Sequence, residues 1–97
     1  MRRQNKSAEK KRRVVFTVGT PTARKVSLVG DFNQWHPGKH PMKKDKNGTW
    51  AKTVYLYPDT YEYKYWVDGD WVLDEHNANR HRDSFGTLNN VIEISPK

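Results

Sequence analysis

The chain has 97 residues and no cysteine; 34% of its residues are hydrophobic and 12% are aromatic, including four Trp and five Tyr. This length allows one domain with a modest core. Disordered chains are poor in aromatic residues, so the composition indicates a small folded domain. Disulfides and thiolate metal sites are excluded. No apolar run approaches the roughly 20 residues of a membrane span, and no secretory signal is visible, so we expect a cytoplasmic protein without membrane contact.

The positive charge is concentrated at the start of the sequence. Residues 1–13 contain seven Lys and Arg against one Glu, whereas the remaining residues contain 11 Lys and Arg against 10 acids. We interpret residues 1–12 as a disordered basic tail that makes the chain more soluble. A nucleic-acid-binding domain usually carries its cations on the fold, interleaved with aromatics. Here the aromatics follow the tail, which argues against a nucleic-acid partner.

From residue 13 onward the hydrophobic pattern has period two or is broken by turn residues, and no helical period appears. Strands are predicted at VVFTV, KVSLVG, TWAKTVYLY, YEYKYWV, DWVLD and FGTLNNVIEI. Asn47-Gly48 and Asp68-Gly69 are hairpin signals, and a polar loop is predicted over residues 75–84. Short strands separated by turns predict an all-β, immunoglobulin-like antiparallel β-sandwich over residues 13–97.

The strand YEYKYWV separates two kinds of side chain. Its Tyr residues share one face, whereas Lys64 and Trp66 share the other. Alternation of this kind places one face in the core and the other toward solvent. We therefore predict a core-facing Tyr row and an outer face to which the Asp68-Gly69 turn also delivers Trp71.

Catalytic and metal-binding patterns are not found. His36 and His40 have i, i+4 spacing, but Pro37 and Gly38 between them exclude the helix that would align two imidazoles for a metal. The Asp residues near Asp68 lie at turns, where Asp is favoured for local hydrogen bonds. No nucleophile, phosphate-binding or dinucleotide motif is present. We expect neither an enzyme, nor a cofactor, nor a metal site.

Several aromatic and polar residues remain that the core does not require. An indole can cover the flat C–H face of a sugar ring, and Lys, Asn and Thr can bind its hydroxyls. The candidates for such a surface are Trp35, Trp66, Trp71, Phe85, Thr87 and Asn89.

Three segments carry a family resemblance: VSLVGDFNQWHP, GTWAKTVYLYPDTYEYKYWVDGDWVLD and FGTLNNVIEI. Together they resemble carbohydrate-binding module family 48, which includes the glycogen-binding domain of the AMP-activated protein kinase beta subunit and the early-set domain of isoamylase. The ordered series G-D-F-N-x-W, Y-K-x-x-V-D-G-x-W and F-G-T-x-N-N is more specific than any single motif. The resemblance implies an early-set β-sandwich that binds glycogen or another α-1,4-glucan.

The resemblance also implies a set of sugar-binding residues, with the two Trp side chains stacking on glucose rings. By motif position they are Trp35, Lys64, Trp71, Phe85, Thr87 and Asn89. Phe85 stands where the family has a protruding Leu. The replacement keeps an apolar side chain at this position but changes its shape. The family's Asp-Pro after the second Trp is Asp74-Glu75 here.

Some alternatives stay open at this point. Trp66 either widens the sugar platform or packs against the sandwich edge, and Asn33 is a possible additional sugar contact. The domain could instead serve as a structural or regulatory adaptor that packs on a glycan-metabolising enzyme or kinase, with its exposed aromatics forming a protein interface.

Overall fold

The computed structural model of the chain describes residues 10–96. Within this range the backbone forms eight strands and one 3₁₀ turn, Asp31–Asn33. The strands are β1 (Arg12–Gly19), β2 (Val26–Gly30), β3 (Lys43–Lys44), β4 (Thr49–Leu56), β5 (Asp59–Val67), β6 (Asp70–Val72), β7 (Arg80–Arg82) and β8 (Leu88–Ile94). No helix in residues 10–96 has the length and apolar character needed to cross a bilayer.

All strand pairs are antiparallel and form two sheets packed as a sandwich. One sheet has the order β1-β4-β3, and the other has the order β2-β5-β8-β7 with β6 added beside β5. Strand β5 is therefore central: its first half pairs with β8, and its second half pairs with β2 on one side and β6 on the other. The predicted all-β sandwich is confirmed.

The core lies between the sheets and is rich in aromatics. Tyr63 and Tyr65 are buried on the inner face of β5, as the alternation predicted, and Phe16 of β1 packs its ring against Tyr63 with centroids 4.9 Å apart. The Tyr65 hydroxyl donates to the carbonyl of Thr17 in the opposite sheet, at 3.1 Å. Burying each large side chain contributes about 1.5–3 kcal/mol, and the paired hydroxyl avoids a desolvation penalty.

The second hairpin signal is confirmed by the turn between β5 and β6. Asp68 and Gly69 have φ angles of 49° and 91°, the two positive values that a tight two-residue hairpin turn requires. The Asp68 carboxylate accepts the backbone N–H groups of Arg24 and Lys25. The hairpin that carries Trp71 is thus tied to the chain entering β2.

Two sequence predictions at the end of the chain were wrong. The polar loop predicted over residues 75–84 contains β7, a three-residue edge strand too short and too polar to produce a recognisable pattern. The last strand begins at Leu88 rather than Phe85, because residues 83–87 form the turn between β7 and β8. The predicted tail lies outside the described residues except for residues 10–12, and β1 already begins at Arg12.

Candidate functional site

Three segments far apart in the sequence meet at one open groove on the outer face of the five-stranded sheet. They are the loop after β2, the β5–β6 hairpin and the β7–β8 hairpin. The groove has a volume of about 430 Å³ and is lined by Asp31, Trp35, Glu62, Lys64, Trp71, Asp83, Phe85, Thr87 and Asn89. The six residues assigned to sugar binding by motif position are all among them.

Trp35 is held by a carboxylate at the edge of the sheet. Its indole Nε1–H donates to Asp31 Oδ1 at 2.9 Å, and Asp31 Oδ2 accepts the backbone N–H of Glu62 at 2.8 Å. The β2–β5 ladder ends at the Gly30–Tyr63 pair, so the Asp31 side chain supplies the next acceptor for β5. One carboxylate therefore continues the sheet and fixes the indole beside it.

The backbone at Trp35 is strained. Gln34 and Trp35 have φ angles of 56° and 58°, in the left-handed region that costs L-residues about 1–2 kcal/mol each. The Trp35 N–H donates to the carbonyl of Gly30 at 3.0 Å, which closes the loop. The strain places a large aromatic side chain on the groove wall instead of in the core.

Trp71 and Trp66 form a directly opposed cross-strand pair on β6 and β5. Their ring centroids are 4.6 Å apart at an interplanar angle of 66°, and Trp71 remains 46% exposed. Trp66 is not one of the groove-lining residues. Trp66 therefore packs against Trp71 from outside the groove.

The two groove-lining indoles are not coplanar. The centroids of Trp35 and Trp71 are 6.3 Å apart, and their planes meet at 67°. The surface that they form is consequently an angled wall rather than a flat shelf. A ligand that covers both rings must present two apolar faces tilted relative to each other.

Lys64 lies on the groove floor beneath Trp71. Its ammonium group donates to the carbonyl of Leu88 at 2.7 Å and lies 5.5 Å from the centroid of the Trp71 ring. The side chain is on the outer face, as predicted, but neighbouring groups cover it so that it is only 5% exposed. Burial lowers the pKa of Lys64, and the nearby Asp83 carboxylate partly offsets this effect.

The β7–β8 turn presents Phe85 to solvent. Asp83 Oδ1 accepts the backbone N–H groups of Phe85 and Thr87, both at 2.9 Å. These hydrogen bonds, chiefly the one from Thr87, lower the pKa of Asp83. Gly86 has φ of 83°, which lets the chain reverse within the turn. Phe85 is 90% exposed, unusual for a Phe without a partner surface.

Asn89 links the groove floor to two of its carboxylates. Its Nδ2 donates to Glu62 Oε1 at 3.0 Å and reaches Asp83 Oδ2 at 3.5 Å. Glu62 Oε2 lies 3.0 Å from His81 Nδ1 on β7. The polar floor is therefore a connected network whose side chains are fixed before any ligand arrives.

Asn33 does not reach the groove. It is 1% exposed, and its side chain accepts the N–H of Gly30 and donates to the carbonyl of Leu28. It also lies 2.8 Å from His40 Nδ1. Asn33 thus shapes the loop that carries Trp35 and is not one of the groove-lining residues.

Sequence reasoning missed three groove-lining carboxylates: Asp31, Glu62 and Asp83. A signal for Glu62 was present, since it shares the outer face of β5 with Lys64. Asp31 stands in the G-D-F-N-x-W motif, which marks the segment but does not show that its carboxylate faces the groove. Asp83 precedes the exposed Phe85 at a position typical of a turn-forming side chain.

The groove has the chemistry of a binding surface. Its carboxylates are occupied by hydrogen bonds from the protein, and the pKa of Asp83 is lowered, whereas a general acid needs a raised one. In the described part of the chain, no group of three or more His, Cys, Asp or Glu could hold a metal ion.

Comparison with known families decides which class of binding module this is. Residues 13–97 match the family described as the glycogen recognition site of AMP-activated protein kinase. The chain belongs to this family. The resemblance to carbohydrate-binding module family 48 is thereby confirmed, and the match covers all the described residues except the first three, residues 10–12.

Several proteins that are similar in sequence to this chain are named as enzymes of α-glucan branching. The chain is 40% identical over 52 residues to a 1,4-alpha-glucan branching enzyme of Xanthomonas campestris, covering 54% of this chain and 7% of the enzyme. It is 40% identical over 68 residues to the branching enzyme of Aquifex aeolicus, covering 67% and 11%. It is 39% identical over 62 residues to the chloroplastic protein PTST homolog 2 of Arabidopsis thaliana, covering 64% and 12%.

A solved structure gives the same fold. The crystal structure of the maltogenic amylase from S. marinus superimposes with a TM-score of 0.73 at 25% identity, covering 86% of this chain and 13% of that one. The chain thus spans about a tenth of the length of these relatives. The similarity concerns one module within much longer proteins.

Proposed function

We propose that the groove binds an α-1,4-glucan chain, such as glycogen or a maltooligosaccharide, without changing it chemically. The observation that carries this proposal is the pair of indoles, Trp35 and Trp71, set 6.3 Å apart at 67°. An α-1,4-linked chain curves, so the faces of successive glucose rings are tilted relative to each other. An angled aromatic wall fits that curvature better than it fits the flat ribbon of a β-1,4-linked chain.

Stacking on the indoles supplies most of the affinity. Each covered ring buries apolar area on both partners and contributes about 1–3 kcal/mol. Phe85 adds an apolar contact from the β7–β8 turn, where it extends freely into solvent. With two principal stacking contacts, we expect a Kd between about 10 μM and 1 mM for a short oligosaccharide.

Polar groups around the wall bind the hydroxyl rim. The buried Lys64 ammonium has one donor on Leu88 and retains others for sugar oxygens. The carboxylates of Asp31, Glu62 and Asp83 line the groove, and the lone pairs that are not used by the protein's own hydrogen bonds accept sugar hydroxyls. Because internal hydrogen bonds hold these groups, the ligand does not have to order them, which limits the entropy cost of binding.

The test is a titration of the chain with maltoheptaose followed by two-dimensional NMR. We expect saturable shifts at Trp35, Lys64, Trp71 and Thr87, and little effect of a β-1,4-linked oligosaccharide. Trp71→Ala should weaken binding about 10-fold or more, since it removes one stacking surface and half of the angled wall.

Tyr55→Ala provides the matched control, because Tyr55 is an exposed aromatic on the other sheet. This variant should bind maltoheptaose like the wild type. The absence of binding to both maltoheptaose and glycogen at millimolar sugar would contradict the proposal, provided that the spectrum of the protein shows a folded domain.

A further inference from the structure

Charge is divided unevenly between the two sheets. Among residues 10–96, eight Lys and Arg belong to the three-stranded sheet, its β3–β4 turn and the two residues before β1: Lys10, Lys11, Arg12, Arg13, Lys43, Lys44, Lys46 and Lys52. The same region contains one acid, Asp45. The rest of the described chain contains six Lys and Arg and nine Asp and Glu. The residues after position 13 have a net charge near zero, but their positive charges are concentrated on the three-stranded sheet. The predicted tail therefore does not carry all the positive charge of the chain.

Most of these cations are available to a partner. The exceptions are Lys44, whose ammonium group donates to the Pro21 carbonyl and lies 5.6 Å from the centroid of the Trp50 ring, and Lys52, which stands opposite the buried Phe16. All but Lys52 are exposed, and none of them forms an ion pair with a carboxylate within the part of the chain that the structure describes. The single acid nearby is occupied, because Asp45 Oδ1 accepts the backbone N–H groups of Asn47 and Thr49. Unpaired like charges repel each other, so this sheet gains stability when an anionic surface covers it.

The middle of the same surface is apolar. Strand alternation turns Val15 and Tyr55 outward, where they are 46% and 57% exposed. In the strand register Arg13 stands opposite Tyr55, and Lys43 stands opposite Ala51. By the same alternation Arg12, Lys44 and Lys52 share the inner face with the residues opposite them, Leu56, Trp50 and Phe16. The outer surface of β1, β4 and β3 thus has an apolar centre with Arg13 and Lys43 beside it, and with Lys10, Lys11 and Lys46 at its ends. We call this surface, with these five cations, the basic face.

We propose that the basic face docks an acidic protein surface that has an apolar patch at its centre. Protein interfaces place aromatic and apolar side chains centrally, favour Tyr and Arg there, and use charges at the rim to steer association. A nucleic acid would use the cations but leave Val15 and Ala51 without a role. Binders of single strands also stack bases on several aromatic rings, whereas Tyr55 is the single exposed aromatic on this face within residues 10–96.

The size of the face sets the strength of the contact. An eight-residue strand spans about 26 Å, and three adjacent strands span about 10 Å between the outer two. This footprint is well below the roughly 800 Å² per partner of a stable complex. The contact is accordingly transient and depends strongly on salt. It lies on the opposite side of the sandwich from the groove, so both surfaces can be occupied together.

The test uses fluorescence anisotropy with two synthetic acidic peptides of equal charge and about 15 residues, at about 50 mM and about 300 mM salt. One peptide has a central Phe-Leu-Val segment, and the other has Ser-Gly-Ser in its place. At the lower salt concentration the full chain should bind the first peptide at least about 5-fold more tightly than the second. Raising the salt to the higher concentration should weaken the binding of the first peptide about 10-fold.

Charge reversal then locates the contact. The double variant Arg13→Glu, Lys43→Glu should weaken peptide binding about 10-fold, whereas Arg80→Glu, Arg82→Glu should change it less than about 2-fold. The second variant makes the same change of charge on exposed β7 of the other sheet. Should the first variant fail to fold, Val15→Ser tests the same face, since it should abolish the preference between the peptides.

Three results would overturn the proposal. Equal binding of both peptides would show that the apolar centre contributes nothing and that the face only attracts anions. If the chain binds a DNA duplex of the same length more tightly than the peptides, the partner of this face is a nucleic acid. If phosphatidylserine vesicles capture the chain and the peptides do not bind, the partner is a lipid surface. An equal loss of binding in both charge-reversal variants would show that net charge, not this face, is responsible.

Discussion

At the scale of single residues, Asp31 connects the fold to the groove. Its two carboxylate oxygens accept hydrogen bonds from the Trp35 indole and from the backbone of β5. A hydrophobic-periodicity argument cannot find such a role, because the fold of the loop after β2 brings the indole to Asp31 and the pairing of β2 with β5 brings the Glu62 N–H. The residue type is nevertheless informative: only a carboxylate or a side-chain amide oxygen supplies an acceptor at this reach.

We predict that Asp31→Ala weakens maltoheptaose binding by about 10-fold while reducing the free energy of unfolding by about 1–2 kcal/mol. The reason is that the Trp35 indole loses its acceptor and no longer holds its angle to Trp71. The resonance of the Trp35 indole proton in the unliganded protein is the decisive readout, and it should shift. Glu62→Gln, a change to another groove carboxylate that does not bind the indole, should leave that resonance in place.

His40 makes the same loop sensitive to pH. The Asn33 amide donates to Nδ1 of a neutral His40, and burial, with repulsion from Lys52 and Lys39, lowers the pKa of His40. The folded state therefore binds this proton less readily than the unfolded chain does. The resulting contribution to stability is complete above the ordinary pKa near 6.5 and is lost as the pH falls from that value through the lower pKa of the folded state.

We predict that the free energy of unfolding, measured with urea, decreases from about pH 7.5 to about pH 5. His40→Gln, which keeps an acceptor for Asn33, should flatten this dependence. His36→Gln is the control, since His36 is exposed in the same loop. A pH dependence that persists unchanged in His40→Gln would assign the effect to another group.

At the scale of elements, two hairpins carry most of the groove-lining side chains, and the paired strands hold these hairpins in place. Lys64 and Trp71 come from the β5–β6 hairpin, and Phe85 and Thr87 come from the turn that joins β7 to β8. Strand β5 was predictable because its alternation of Tyr with polar residues is unbroken. Strand β7 was not, because it consists of three exposed residues held only at the edge of β8.

We predict that Gly86→Ala lowers the free energy of unfolding by about 1 kcal/mol and weakens maltoheptaose binding severalfold. An Ala at φ of 83° is strained, although nothing lies within 4 Å of the added methyl group. Gly19→Ala is the matched control, because it also meets open space but needs no positive φ. Binding and thermal unfolding of the two variants should differ, and equal behaviour would show that the turn tolerates the strain.

At the scale of the whole molecule, the sandwich keeps two outer surfaces apart. The groove of the five-stranded sheet combines aromatic rings with a carboxylate-rich floor, whereas the basic face covers the other sheet. The sequence predicted the groove residues through motifs that are local, each within a few positions of a turn. It misjudged the distribution of charge, since the sum over a domain contains no information about which sheet carries which sign.

The sequence by itself determined the strand alternation, the hairpin turns, the aromatic core and the motifs that identify the family, because these depend on residues adjacent along the chain. Only the tertiary structure decided which side chains meet. Asp31 and Glu62 are 31 positions apart, and Glu62 and Asn89 are 27 apart, yet each pair is joined by a hydrogen bond. The supporting role of Trp66, the burial of Asn33 and the basic face likewise follow from how strands pair and sheets pack, which no local pattern specifies.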